Sequence, residues 1–165
     1  MVTETQRKPV PRNDSGELDT SLAFLCFARE SVLKKTDELN DEQLRRPMVG
    51  SGTNLLGLIW HLTVAERFWF GFHVAGLEPD GPFDWRMDAP AGCDTKVILG
   101  GYRNACVDSD RMIREAGGPG ARVLRPVEGQ WLTVRWVIAH MTSETARHAG
   151  HADILREQID GVTGR

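Results

Sequence analysis

One segment near the end of the chain limits the fold more than any other. Over residues 133–160 no proline intervenes, Thr133 is placed to cap the start, and Gly161 follows as a stop. Val137, Met141 and Leu155 recur on one side at helical spacing, and Ser143, Arg147, Asp153, Arg156 and Glu157 are expected to point elsewhere. A helix of about 28 residues carrying one apolar stripe buries it against neighbours of comparable length, and three further segments supply them. The first spans 16–38, with Leu18, Leu22, Leu25, Cys26, Val32 and Leu33 at three- and four-residue intervals. The second spans 54–75 behind a Thr53 cap and is the most apolar. The third spans 95–116, capped by Asp94 or Thr95 and weakened by Gly100 and Gly101, each costing about 1 kcal/mol in a helix interior. Glycine- and proline-rich connections separate them, and only residues 121–127 offer a short alternative to helix. The expectation is an all-α four-helix bundle over residues 17–161, preceded by a flexible arm, residues 1–16.

Charge and composition narrow the function classes. Twenty basic against twenty-three acidic side chains give a net charge of −3 and no broad positive field, so nucleic acid is not an expected partner. The apolar run around residues 55–65 contains His61 and is far shorter than the ~20 residues of a spanning helix; no membrane segment is expected. Cys26, Cys93 and Cys106 are widely spaced without a C-x-x-C pair, which fits a reduced, cytoplasmic setting; Cys26 and Cys106 are expected as small core residues.

The chemistry-bearing pattern lies on the same stripe of the last helix. His140, Glu144, His148 and His151 are spaced by four, four and three residues, which places them within about 80° of one another. Glu144 and His148, one turn apart, can converge on one ion, and His61 shares a face with Leu58, Ala65, Phe68 and Phe72 on the second helix. Two imidazoles and a carboxylate would leave a fourth position open, as catalytic zinc sites do. Two plainer readings stand beside this one: His61 as a hydrogen-bonded core histidine, and Glu144 with His148 as an ordinary polar pair on a solvated face. Against them, a glutamate on a stripe that buries aliphatics needs a partner.

The stretch from His148 through Glu157, with Trp136 to His140 ahead of it and Trp60-His61-Leu62 on the second helix, resembles the DinB/YfiT-like superfamily. Within it the likeness is to the mini-circle protein branch, associated with mycothiol-dependent transferases, and it covers about residues 20–161. It implies an up-down-down-up four-helix bundle, often a homodimer, with a divalent metal ion held by a histidine of the second helix and two residues one turn apart on the fourth. Carried onto this chain, those positions are His61, Glu144 and His148, with Glu144 where many members have histidine. The His-Glu-His set is similar to the zinc site of mycothiol-dependent maleylpyruvate isomerases, whose second domain this chain has no room for, so their reaction is not transferred. His151, where many members have glutamine, and His140 are expected as hydrogen-bonding partners behind the ligands or as variant ligands, and His73 at the rim or in solvent.

Zinc or nickel is the expected ion. The function so implied is a metal-dependent thiol S-transferase of detoxification type, taking a low-molecular-weight, mycothiol-like thiol and a small electrophile. A non-catalytic metal- or ligand-binding stress protein and a metal-dependent hydrolase are the alternatives. Trp60, Phe68, Trp69, Phe70 and Phe72 are expected mainly in the core, some lining an apolar pocket beside the metal. Arg67 and Arg147 are candidate thiol contacts that a solvated face explains equally well.

Overall fold

The structure is a computed structural model that describes residues 8–163. Of the expected arm, residues 1–7 lie outside the described residues; residues 8–16 hold no helix or strand, and Lys8 pairs with Glu30. Helix α1 (Glu17–Lys34) ends earlier than its apolar pattern suggests. A turn over 35–38, in which Glu38 takes a positive φ of 63°, breaks the helical path. A short helix, α2 (Asp41–Arg45), follows; the Asn40 side-chain oxygen accepts from the Gln43 N–H, and the Gln43 side-chain oxygen accepts from the Asn40 N–H.

Helix α3 (Leu55–Glu66) is capped by Asn54 instead of Thr53: the Asn54 carboxamide oxygen accepts from the Gly57 N–H at 2.7 Å. The expected continuation to residue 75 exists, but Arg67–Val74 winds as a π-helix. Helix α4 (Thr95–Glu115) starts on Asp94, whose carboxylate accepts from the Lys96 and Val97 N–H groups, and it carries Gly100 and Gly101 without interruption. Helix α5 (Val134–Asp160) runs its full expected length and stops at Gly161, φ 77°. No strand forms among the described residues; the 121–127 segment contributes only isolated bridges, Arg122 to Thr133 and Val127 to Gln130.

The directions of the helices follow from which halves share a core. One apolar cluster joins Leu22 and Leu25 early in α1, Phe70 and Val74 after α3, Met112 and Ile113 late in α4, and Val134 to Met141 early in α5. The other joins Val32 late in α1, Leu55 to Leu62 in α3, Ile98 and Tyr102 early in α4, and Ala152 and Leu155 late in α5. Helices α1 and α5 therefore run together, with Glu17 bonded to Arg135 at one end and Lys35 paired with Asp153 near the other. Helices α3 and α4 run together in the opposite sense. The result is the up-down-down-up bundle, with the long 77–93 connection crossing from the end of α3 back to the start of α4.

Two polar clusters are buried in it. Arg29 sends parallel bonds of 2.8 and 2.7 Å to the Glu66 carboxylate and a third, 2.7 Å, to Asp110, tying α1 to α3 and α4. Arg156, expected to face away from the stripe, is instead buried: its guanidinium donates to the Lys35 and Asp37 carbonyls and pairs with Asp160. Those carbonyls, freed where α1 unwinds, need a donor, and the long arginine stem reaches them.

Candidate metal centre

The structure brings His61, Glu144 and His148 together midway along the bundle, each with a ligand-capable atom within 4.8 Å of the others. His61 comes from α3 and is 7% exposed; His148, from α5, is 1% exposed, and the Glu144 side chain is 15% exposed. Glu144 Oε1 lies 3.0 Å from His148 Nε2 and 3.6 Å from His61 Nε2. The two imidazoles meet edge to face with centroids 4.9 Å apart.

The outer nitrogens of both rings are engaged. His61 Nδ1 lies 3.1 Å from the Trp85 carbonyl oxygen; since a carbonyl only accepts, Nδ1 carries the proton and Nε2 presents a lone pair toward Glu144. His148 Nδ1 faces His151 Nδ1 at 3.3 Å, so with His148 as donor its Nε2 presents a second lone pair to the same place. Arg147 holds the other Glu144 oxygen at 3.0 Å. A carboxylate oxygen and two imidazole lone pairs converging on one point repel one another unless a cation or a proton sits among them, and the donor set fits a divalent ion.

Burial, the largest influence on His148, pushes its pKa below the ordinary histidine value, although the Glu144 carboxylate works the other way. Burial acts to raise Glu144, but where a proton instead of a cation sits between them, the hydrogen bond and charge of His148, with the charge of Arg147 and the contact with His61, outweigh it, so the carboxyl ends below its usual range. A neutral imidazole and an ionised carboxylate are the forms that bind metal.

The remaining expected residues separate. His151 sits behind His148. His140, one turn before Glu144, packs against two indoles that also touch each other, its centroid 4.5 Å from Trp69 and 5.2 Å from Trp136. His73 is buried, contrary to the expectation of rim or solvent: its Nδ1 donates to the Arg125 carbonyl at 3.1 Å, and Phe68, Trp69 and Phe72 surround the ring. Of the aromatic set only Phe70 is wholly buried; Trp60, Phe68, Trp69 and Phe72 are half-exposed. Trp60 and Phe72 line a cavity of about 460 Å³ under the 77–84 loop, whose lining includes none of the three convergent side chains. Cys26 is exposed where a core position was expected. Cys106 is half-buried, and burial reinforced by the Glu66 charge pushes its thiol up to about 12, which removes it as a nucleophile. Trp85 was missed by sequence reasoning because it acts through its carbonyl, a group every residue carries.

A profile of the mycothiol S-transferases matches residues 20–161. The chain belongs to the mycothiol S-transferase family. No curated protein matches it. Among solved structures it is similar to a DinB-like protein from Bacillus cereus ATCC 10987, with a TM-score of 0.67 at 20% identity, over 88% of this chain and 97% of that one. At that identity the likeness bears on the fold, which is the DinB-like all-α bundle described above. No helix among the described residues is long and apolar enough to cross a membrane.

Proposed function

We propose that residues 17–161 form a thiol S-transferase domain in which His61 Nε2, Glu144 and His148 Nε2 hold one divalent ion, zinc or nickel by the nitrogen and oxygen character of the donors. The observation that carries this reading is the convergence of three lone-pair donors from two helices, with the outer nitrogens of both rings already satisfied. Such an ion supplies Lewis acidity that lowers the pKa of a thiol at its open position.

The protein's own groups do the rest. Trp85 and His151 fix the two rings, and Arg147 steadies the carboxylate, so the site is organised before a substrate arrives. No cysteine of this chain is among the convergent groups, so the nucleophile is a separate low-molecular-weight thiol of mycothiol type. In the transfer the thiol proton goes to solvent, a carbon–sulfur bond forms, and the electrophile's leaving group departs with its bonding pair.

Elemental analysis of the purified protein, paired with thiol consumption on addition of 1-chloro-2,4-dinitrobenzene, tests the proposal. One equivalent of zinc or nickel and metal-dependent thiol loss are expected, both abolished in His61→Ala and His148→Ala. Full metal content in those variants overturns the ligand assignment. Metal without consumption of any of several thiols leaves a binding protein instead of an enzyme.

A further inference from the structure

Around one flank of the His61, Glu144 and His148 group runs an unbroken series of aromatic rings. It starts at Trp85, 5.7 Å from the His61 ring, and passes to Phe68 at 5.1 Å and then Trp69 at 5.2 Å. Trp69 touches His140 at 4.5 Å, and His140 stacks on Trp136 at 5.2 Å with planes 7° apart. The series thus begins beside one member of the trio and, at His140, passes one helical turn from another before it ends on Trp136, two turns from Glu144. Its two ends are the indoles of Trp85 and Trp136, 41% and 42% exposed. Two large rings left half in water, on a path joined to a polar centre, form an exposed aromatic surface beside it.

We propose that this arc is the seat of the electrophile, and that the electrophile class it selects is planar, electron-poor and π-conjugated: haloarenes carrying nitro groups, quinones and related acceptors. The inference rests on the transferase reading for the chemistry that follows binding. Its own support is separate. Indoles are the most electron-rich rings a protein offers, and their faces attract the positive face of an electron-poor ring. A carbon activated toward a thiol is electron-poor for the same reason, so recognition and reactivity coincide in one feature of the molecule. With a haloarene the thiol proton is released, sulfur bonds the ring carbon bearing the halogen, and halide leaves with the bonding pair; no oxidant is needed. An arc built on the 77–93 connection, the π-helix and α5 would hold the ring beside the trio, the condition for a near-attack arrangement.

The rings outside this arc do not compete for the role. Phe83 and Phe72 pack on Phe68, Phe83 also on Trp85, and both line the cavity that Trp60 shares, which contains no member of the trio.

Indole fluorescence tests binding without metal, thiol or turnover. The probe is 1,3-dinitrobenzene, which has the nitroarene ring and no leaving group. Saturable quenching is expected, and Trp136→Leu and Trp85→Leu, each keeping an apolar side chain and its backbone carbonyl, should weaken it by about three- to tenfold, the scale of one stacked ring contact. In turnover, Trp136→Leu should raise KM for 1-chloro-2,4-dinitrobenzene and leave KM for iodoacetamide with the same thiol unchanged. Quenching that never saturates, equal affinity in both variants, or a parallel rise in both KM values overturns the proposal. Saturable, variant-sensitive quenching with no thiol consumption supports the aromatic seat and removes the transferase reading.

Discussion

Gly57→Ala sets helix propensity against packing at a single atom. Gly57 lies in the first turn of α3, where alanine is intrinsically better than glycine by about 1 kcal/mol, so propensity predicts a more stable protein. The neighbouring chain predicts the reverse. A Cβ built on Gly57 would sit 2.1 Å from the Met87 carbonyl oxygen, 2.3 Å from its carbon and 2.5 Å from Asp88 Cα, all backbone atoms that no rotamer can clear. Restoring ordinary contact needs the 85–88 backbone to move by about 1 Å. That backbone is pinned to α3 by the Asn54 N–H on the Met87 carbonyl at 3.1 Å, the Trp60 indole N–H on the Asp84 carbonyl at 3.2 Å, and His61 Nδ1 on the Trp85 carbonyl. A 1 Å lift stretches the His61 bond from 3.1 Å to about 4 Å, outside hydrogen-bond range. Overpacking of this kind costs about 1–3 kcal/mol, which for a chain of this size lowers Tm by about 2–12 °C. On the proposed ligand set, loss of the carbonyl that fixes His61 costs a further tenfold to hundredfold in metal affinity, by the usual effect of such partners. Circular dichroism melts of the metal-free protein and competition against a chromophoric chelator read the two effects. A variant that melts higher than the parent and binds metal as tightly would show that this strap neither presses on α3 nor orients His61.

Two further expectations concern charge. Burial, the leading cause for both, lowers the pKa of His140 and His148, so the folded state holds fewer protons than the unfolded chain around the ordinary histidine value of about 6.5. Their contribution to stability is present above that value and is lost as pH falls below it; the metal-free protein should melt lower at about pH 5.5 than at about pH 7.5, and an unchanged or higher melting point in acid would contradict the burial of these rings. Glu66→Gln strips the charge from a fully buried carboxylate and leaves Arg29 poorly compensated, so urea denaturation should show a loss of about 3–5 kcal/mol, largely recovered in the Arg29→Met, Glu66→Met double variant; a loss no greater than that of a surface pair would refute the role assigned to this cluster.

The elements that sequence reasoning located were those with local signatures. Helix α5 was readable from end to end because its stripe, its Thr133 start and its Gly161 stop are all local to it. Glu144 and His148 were readable as a pair because one turn of helix brings them together whatever surrounds it. What stayed hidden depends on distant chain. Arg156 is buried because α1 frays and leaves the Lys35 and Asp37 carbonyls unbonded, more than a hundred residues away in sequence. His73 is buried because the Arg125 carbonyl, on the loop before α5, comes to meet it. Only α2 had a local signal that went unread: Asn40 followed three residues later by Gln43.

The π-helix is the hidden feature with the most bearing on function. Nothing in residues 67–74 demands it, and its wider turn sacrifices close backbone packing, so the surroundings must favour it. They do so at both ends. Immediately before it, Glu66 is locked by Arg29, which fixes where α3 stops; immediately after it, the Ala75 N–H reaches back five residues to the Phe70 carbonyl, and the His73 carbonyl accepts from Leu124 and Arg125. Between these clamps the five-residue register brings Phe68 against His73 at 4.6 Å. Phe68 thereby also meets Trp85, and Trp69 meets His140, so two adjacent residues reach the ring beside His61 and the imidazole one turn before Glu144. An α-helical path through the same eight residues would turn Phe68 and Trp69 progressively out of register with those two partners. The irregular turn is thus what joins the aromatic arc to the faces of α3 and α5 that carry His61, Glu144 and His148.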